Sequence, residues 1–266
     1  MCTLSFIPSN EDFLIAMNRD ELHSRQKALP ARILEIDSVE VVCPQEPGGG
    51  TWIACNDNGT CLALLNWHVP VAGHPVEQPQ TRGSLIPALI TVPTAAKVSA
   101  RIESLPLKAI LPFRLIGVFR SRAEVCEWRW NGATVMRIDH PWSRRHWFSS
   151  SISDDRATEE RLCVIESAVR RSSRLDETWL RSLHSSHSPA PGPFSVCVHR
   201  QDACTVSYTM VRCSDGAVSM GYLEGRPCLR AGFDALFTIR MRNHRSKVGE
   251  HDRQLKLLLS SLFSID

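Results

Sequence analysis

The chain has 266 residues, is 43% hydrophobic and carries a formal net charge of +3, enough for one large α/β core or two small domains and without a broad electrostatic pull toward nucleic acid or a membrane surface. No run approaches the roughly 18 apolar residues of a membrane span, and Glu11, Asp12, Arg19 and Asp20 interrupt any secretory h-region, so the expected location is cytoplasmic. Ten cysteines stand at 2, 43, 55, 61, 126, 163, 197, 204, 213 and 228 without a Cys-x-x-Cys pair, the pattern of free thiols in a reducing compartment and not of a disulfide framework or a zinc site.

In chain order, Thr3-Leu4-Ser5-Phe6-Ile7 and Phe13-Leu14-Ile15-Ala16-Met17 read as two strands joined through the turn formers Pro8, Ser9, Asn10 and Asp12. A turn centred on Asn10 and Glu11 sets Cys2 opposite Arg19 in the antiparallel register. A short strand follows over Val39 to Cys43, then a hairpin of Trp52 to Cys55 and Cys61 to Leu65 around Asn58-Gly59, with Asn66 at the strand end. The loop from Trp67 to Arg82 is expected to border a substrate entrance, and Gly83 to Ile90 and Ala95 to Leu105 to be helices.

Strands are predicted over Arg114 to Phe119, Val125 to Trp130, Val135 to Ile138 and Phe148 to Ile152. A helix then opens on Ser153, Asp154 and Asp155, with Leu162, Ile165 and Val169 as its apolar stripe, and a second runs from Asp176 to Leu183. Beyond a proline-rich connector from Ser185 to Pro193, strands are expected at Phe194 to Val198, Thr205 to Val211 and Ala217 to Tyr222. A last helix is marked by Leu255, Leu258, Leu259 and Leu262. Two blocks of strands with helices between them favour an α+β fold, a four-layer αββα sandwich of two antiparallel sheets.

The first hairpin carries chemistry. Removal of Met1, which the small side chain of Cys2 permits, leaves a residue with both a thiol and a free α-amine. The amine, with an ordinary pKa of about 7.7–8.0, can take the thiol proton while sulfur attacks a carbonyl. The Arg19 guanidinium favours the thiolate, and the Asp20 carboxylate can orient the amine. The other reading of the same spacing is that Cys2 is a small apolar residue opening a buried strand.

The opening Met1-Cys2-Thr3, the tetrad Asn18-Arg19-Asp20-Glu21 with Arg25 beyond it, Gly49-Gly50-Thr51-Trp52 and Cys61-Leu62-Ala63-Leu64-Leu65-Asn66 resemble, in order and spacing, one family. It is the NRDE family, also called the transport and Golgi organisation protein 2 family, which is similar to N-terminal cysteine hydrolases of the penicillin V acylase and bile salt hydrolase type. The resemblance implies one domain over residues 1–266 with the N-terminal nucleophile fold. Its implied roles are Cys2 as nucleophile, Arg19 and Asp20 beside it, and Asn66 as oxyanion donor. Asn18, Trp52 and Ser150 are implied in binding, Ser150 standing where relatives carry an amide donor. The implied activity is hydrolysis of a non-peptide amide bond. The alternative is a non-catalytic carrier for haem or acyl-type hydrophobic metabolites.

Other motifs are weaker. Gly48-Gly49-Gly50 lacks the Gly-Lys-Ser/Thr of a phosphate loop, and marks a turn with unusual backbone angles or a close approach to the site. Asp139-His140 and His199-Arg200 read as solvated or structural, and Trp142 and Trp147 as core, rim or pocket. No His-x-x-x-His pair or cofactor motif is present, so neither a metal nor a cofactor is expected. The basic cluster of Arg240, Arg242, Arg245 and Lys247 reads as a solvated surface without a nucleic-acid-binding module. The expected partner is a small-molecule substrate or hydrophobic ligand, with the oligomeric state left open.

Overall fold

A computed structural model describes residues 2–71 and 79–242. Its strands are β1 (Cys2–Ser9), β2 (Asp12–Leu22), β3 (Leu29–Ile36), β4 (Val39–Gln45), β5 (Ile53–Asn56), β6 (Thr60–Asn66) and β7 (Phe113–Phe119). They continue as β8 (Glu124–Trp130), β9 (Val135–His140), β10 (Arg145–Ser149), β11 (Ala203–Ser214), β12 (Ala217–Glu224) and β13 (Ala235–Arg240). The α-helices are α1 (Leu85–Leu89), α2 (Ala95–Glu103), α3 (Asp154–Arg170) and α4 (Glu177–His184).

One sheet has the order β10-β1-β2-β11-β12-β13, the other β3-β4-β5-β6-β7-β8-β9, and every ladder in both is antiparallel. Alternation along the strands makes the layers, because successive side chains leave opposite faces. Leu4, Phe6, Ile15 and Met17 meet Ile53, Cys61, Ala63, Leu65, Ile116 and Val118 between the sheets. Leu62, Leu64, Leu115 and Trp128 face the other way, against Leu85, Leu89, Val98 and Ile102 of α1 and α2. Ile7, Ala16, Phe148, Tyr208 and Met210 pack against Ile165, Leu180 and Leu183 of α3 and α4. The expected αββα sandwich is the observed one.

A buried carboxylate ties the sheets together. Glu127 of β8 accepts from Arg114 Nε at 2.6 Å, Arg129 Nε at 2.7 Å and Trp147 Nε1 of β10 at 3.2 Å, with His140 Nε2 at 3.0 Å. Trp147 is core, and Trp142 packs edge-on to Phe6 with ring centroids 5.1 Å apart while donating to Asn10 O. His140 and both tryptophans are therefore structural.

Several expected elements differ. The edge strands β3 and β13 carry no clean apolar alternation, since much of each is exposed. β10 ends at Ser149 because Ser150 N–H donates to Asp154 Oδ1 at 2.5 Å and the chain turns into α3. On α3, Ile165 is buried and Val169 packs against the core as expected, but Leu162 is 37% exposed and Arg161 takes the inward position between Ala157 and Ile165. Phe194 to Val198 is buried but forms no strand; Cys197 N–H donates to Ser186 O instead of to a ladder. The expected helix of Leu255, Leu258, Leu259 and Leu262 lies outside the described residues, as do Arg245 and Lys247, while Arg242 Nε binds Asp57 Oδ2 at 2.7 Å. Among the described residues no helix is long and apolar enough to cross a membrane.

Candidate active site

β1 and β2 turn about Asn10, whose φ of 54° is the left-handed conformation that Asn tolerates, and the register pairs Cys2 with Arg19 as expected. On its other side Cys2 pairs with Ser149 of β10. Cys2, Leu4 and Phe6 face the space between the sheets, whereas Thr3, Ser5 and Ile7 face the helices. Cys2 is 6% exposed at the wall of a cavity of about 320 Å³ that Arg19, Trp52 and Asn66 also line. Burial pushes the Cys2 thiol pKa up, and the carboxylates of Asp20 and Glu21 act in the same direction.

Arg19 lies over the Trp52 ring, its guanidinium carbon 4.3 Å from the ring centroid. Its Nη2 is 2.8 Å from Glu46 Oε1 and 3.2 Å from Glu21 Oε1, so its charge is shared with two carboxylates. Arg25 Nη2 meets the same Glu46 oxygen at 2.8 Å. Burial opposes ionisation of Glu46, yet Arg25 and Arg19 outweigh it and hold the carboxyl below the usual range. The turn before this wall needs its glycines: Gly49 has φ +83°, and a Cβ on Gly50 would meet the Gly83 backbone at 3.1 Å. Thr51 N–H donates to Gly83 O at 3.0 Å, which brings Arg82 to the cavity.

Asp20 leaves the opposite face of β2 and is completely buried under α3. Its Oδ1 accepts from Thr205 Oγ1 at 2.6 Å, while Oδ2 has no hydrogen-bond partner. The cation facing Oδ2 is Arg161, with Nη2 at 3.9 Å. Arg161 Nη1 donates to Cys2 O at 3.1 Å and Thr3 Oγ1 at 2.9 Å, so one side chain of α3 fixes the start of β1 beside Asp20. Burial raises the Asp20 pKa, with Arg161 pulling it back.

The expected binding residues separate into two groups. Trp52 lines the cavity. Asn18 does not, because its Nδ2 is spent on His184 O at 2.8 Å and Val196 O at 2.9 Å. Ser150 sits behind β10, where its Oγ accepts from Ile152 N–H at 3.2 Å in the turn into α3. Glu46, Arg82 and Arg161 join the site although sequence reasoning passed over them. Glu46 lies in an irregular turn after β4 and Arg82 opens a single 3-10 turn, Arg82–Ser84, neither with a periodic pattern, while the Ala157-Arg161-Ile165 spacing of four could have marked Arg161 as inward-facing. Arg82 makes no ion pair among the described residues; its Nη1 donates to Pro112 O at 3.1 Å. The expected entrance loop contributes Pro79, Gln80, Thr81 and Arg82 to the cavity, and the part from 72 to 78 lies outside the described residues.

The family model described as Transport and Golgi organisation 2 matches residues 1–188. No curated protein matches the chain. Among solved structures, a cysteine-to-alanine variant of conjugated bile acid hydrolase from Clostridium perfringens is similar at 11% identity and a TM-score of 0.50, over 91% of this chain and 92% of that one. Penicillin V acylase from Agrobacterium tumefaciens is similar at 11% identity and a TM-score of 0.49, over 91% of this chain and 86% of that one. At such identity the first of these likenesses speaks to the fold alone.

Proposed function

This chain belongs to the Transport and Golgi organisation 2 family, and from that premise we propose that it is an N-terminal cysteine hydrolase of a non-peptide amide bond. The observation that carries the proposal is the convergence of Cys2, Arg19 and Asn66 on one cavity, with Cys2 in register with Arg19. The orphaned Asp20 Oδ2 supports it. A buried carboxylate oxygen without a donor is costly, and the α-ammonium exposed by loss of Met1 is a donor of the right charge.

In this mechanism the free α-amine of Cys2 takes the Sγ proton as sulfur attacks the amide carbonyl. The resulting oxyanion accepts a hydrogen bond from Asn66 Nδ2. The ammonium returns its proton to the leaving nitrogen, the C–N bond breaks, and a thioester on Cys2 remains. Water, deprotonated by the same amine, then attacks the thioester carbonyl and releases the acid and the thiol. Arg82 supplies the cation that favours the thiolate or holds a substrate carboxylate, since Arg19 is already shared between Glu21 and Glu46.

The charged wall of Arg19, Glu21, Arg25, Glu46 and Arg82 favours turnover of a polar amide over carriage of haem or another apolar metabolite. A panel of linear N-acyl amides incubated with the full chain and with Cys2→Ala tests this. Release of amine by the parent and none by the variant is expected; equal release by both would overturn it. Tight haem binding without turnover would establish the carrier instead.

A further inference from the structure

Outside the lining of the Cys2 cavity, four donors of a kind that binds transition metals converge where the run between α4 and β11 meets the loop after β12. His187, Cys197 and His199 come from the irregular run between α4 and β11, and Cys228 from the loop after β12. One ligand atom from each lies within 4.8 Å of all the others. Cys197 Sγ is 3.7 Å and Cys228 Sγ 3.4 Å from His199 Nε2. Around tetrahedral zinc, with Zn–S about 2.3 Å and Zn–N about 2.0–2.1 Å, a sulfur and a nitrogen stand about 3.6 Å apart. The side chains already keep that separation.

His187 adds an independent sign. Its ring stands edge-on to that of His199, centroids 4.6 Å apart, and its buried Nε2 has no hydrogen-bond partner. A lone pair or N–H without a partner at this depth is destabilising unless something else occupies the site. The geometry points to a structural Zn²⁺ site of Cys₂His₂ type formed by His187, Cys197, His199 and Cys228. Four protein ligands leave no position for substrate or water, which makes the ion structural and not catalytic. Binding displaces the two thiol protons, so Zn²⁺ with two thiolates and two neutral imidazoles forms a neutral complex and releases two protons.

The site is placed to matter. The run that holds three of the ligands also presents Val196 O to Asn18 and Phe194 O to Arg161, the residues flanking and facing Asp20. An ion there fixes a segment that lacks helix or strand. The sequence expectation of no metal came from the absence of paired short-spaced ligands; here only Cys197 and His199 are neighbours, and the other two lie 10 residues before Cys197 and 29 after His199.

One neighbour opposes loading. Arg226 Nη1 is 3.2 Å from His199 Nδ1, and a ring bound through Nε2 carries a proton at Nδ1, so two donors would face each other. Arg226 must turn outward, and Arg226→Gln, which offers an acceptor, is expected to tighten metal binding about tenfold.

The test is Co²⁺ titration of the reduced, chelator-treated full chain, followed by displacement with Zn²⁺. Expected are one equivalent bound, a thiolate-to-cobalt charge-transfer band with the visible bands of tetrahedral coordination, and their loss on adding Zn²⁺. The Cys197→Ser/Cys228→Ser pair should abolish the bands. Should that pair fail to fold, His187→Ala keeps three ligands and should weaken Co²⁺ at least about tenfold. Absence of the bands in the parent, their persistence in the double variant, an unchanged Co²⁺ affinity in His187→Ala, or a Cys197–Cys228 disulfide in the protein isolated without reductant would overturn the assignment.

Discussion

Arg161 Nη2 stands 3.9 Å from Asp20 Oδ2, with both side chains completely buried, while Nη1 of the same guanidinium holds the carbonyl of Cys2. Helix α3 thereby locks the first residue of β1 to the carboxylate that the proposed mechanism uses.

Replacing Arg161 by methionine takes away the guanidinium that faces Asp20 and removes a donor from Cys2 O, Thr3 Oγ1 and Phe194 O. Breaking a buried pair from one side costs about 3–5 kcal/mol. A lower urea midpoint with an unchanged slope is expected. A loss under about 1 kcal/mol, the size of an exposed ion pair, would contradict this role.

Acid should destabilise the protein in two stages. Ser5 Oγ bridges His146 Nδ1 at 2.8 Å and His184 Nε2 at 2.9 Å, and burial holds both imidazoles at a pKa of about 3. Arg144 adds to this at His146, and His146, Arg161 and Arg181 add to it at His184. The unfolded chain therefore binds more protons between about pH 6.5 and these values, and stability falls with pH by up to about 1.4 kcal/mol per unit for each histidine. Burial resists ionisation of Glu127, but Arg129, Arg114 and His140 outweigh it and bring the carboxyl to about 2. Its contribution is present above the ordinary carboxylate pKa of about 4.3 and is lost as pH drops toward 2. Urea midpoints that stay level from about pH 7 to pH 4 would contradict the neutral histidine pair.

A methyl group at Gly83 would lie 3.2 Å from Gly50 Cα and 3.3 Å from Thr51 N. Since both neighbours are backbone, Gly83→Ala must part the two loops that carry Arg82 and Trp52 to the cavity. We expect about 1–3 kcal/mol of destabilisation and a rise in KM for any amide substrate found. An unchanged Tm and KM would show that the loops do not act together.

Much of this fold was legible because its central strands are short, nearly continuous apolar runs, buried on both faces and bounded by turn residues. The pairing of Cys2 with Arg19 followed from the turn at Asn10, and Asn66 at the end of β6 followed from the Asn58-Gly59 hairpin. What was not legible arises where tertiary partners override local pattern. Arg161 reads as a surface residue until the start of β1 and Asp20 are placed beneath it. Glu46 and Arg82 lie in short irregular and 3-10 turns that meet through the Gly50–Gly83 approach, and their side chains are set by Arg19, Arg25 and Pro112 O, partners distant in sequence. The run from Phe194 to Val198 has strand composition, but Cys197 N–H bonds to Ser186 O, and its backbone meets β11 only where Val198 bonds to Thr205, too few bonds for a ladder.

Asn66 is half-buried at the cavity wall, so Asn66→Ala should change stability by less than about 1 kcal/mol. As the proposed oxyanion donor its loss should lower kcat by about 10²–10³ with little change in KM. A rise in KM at constant kcat would assign Asn66 to ground-state binding instead.

Whether Cys2 is a processed nucleophile is read most directly from the intact mass of the native protein before and after brief exposure to a thiol-selective acylating reagent. A chain without Met1 is expected, with a single adduct that maps to Cys2 in preference to the other nine thiols. A chain that retains Met1, or labelling spread over the exposed cysteines with Cys2 spared, would contradict that role.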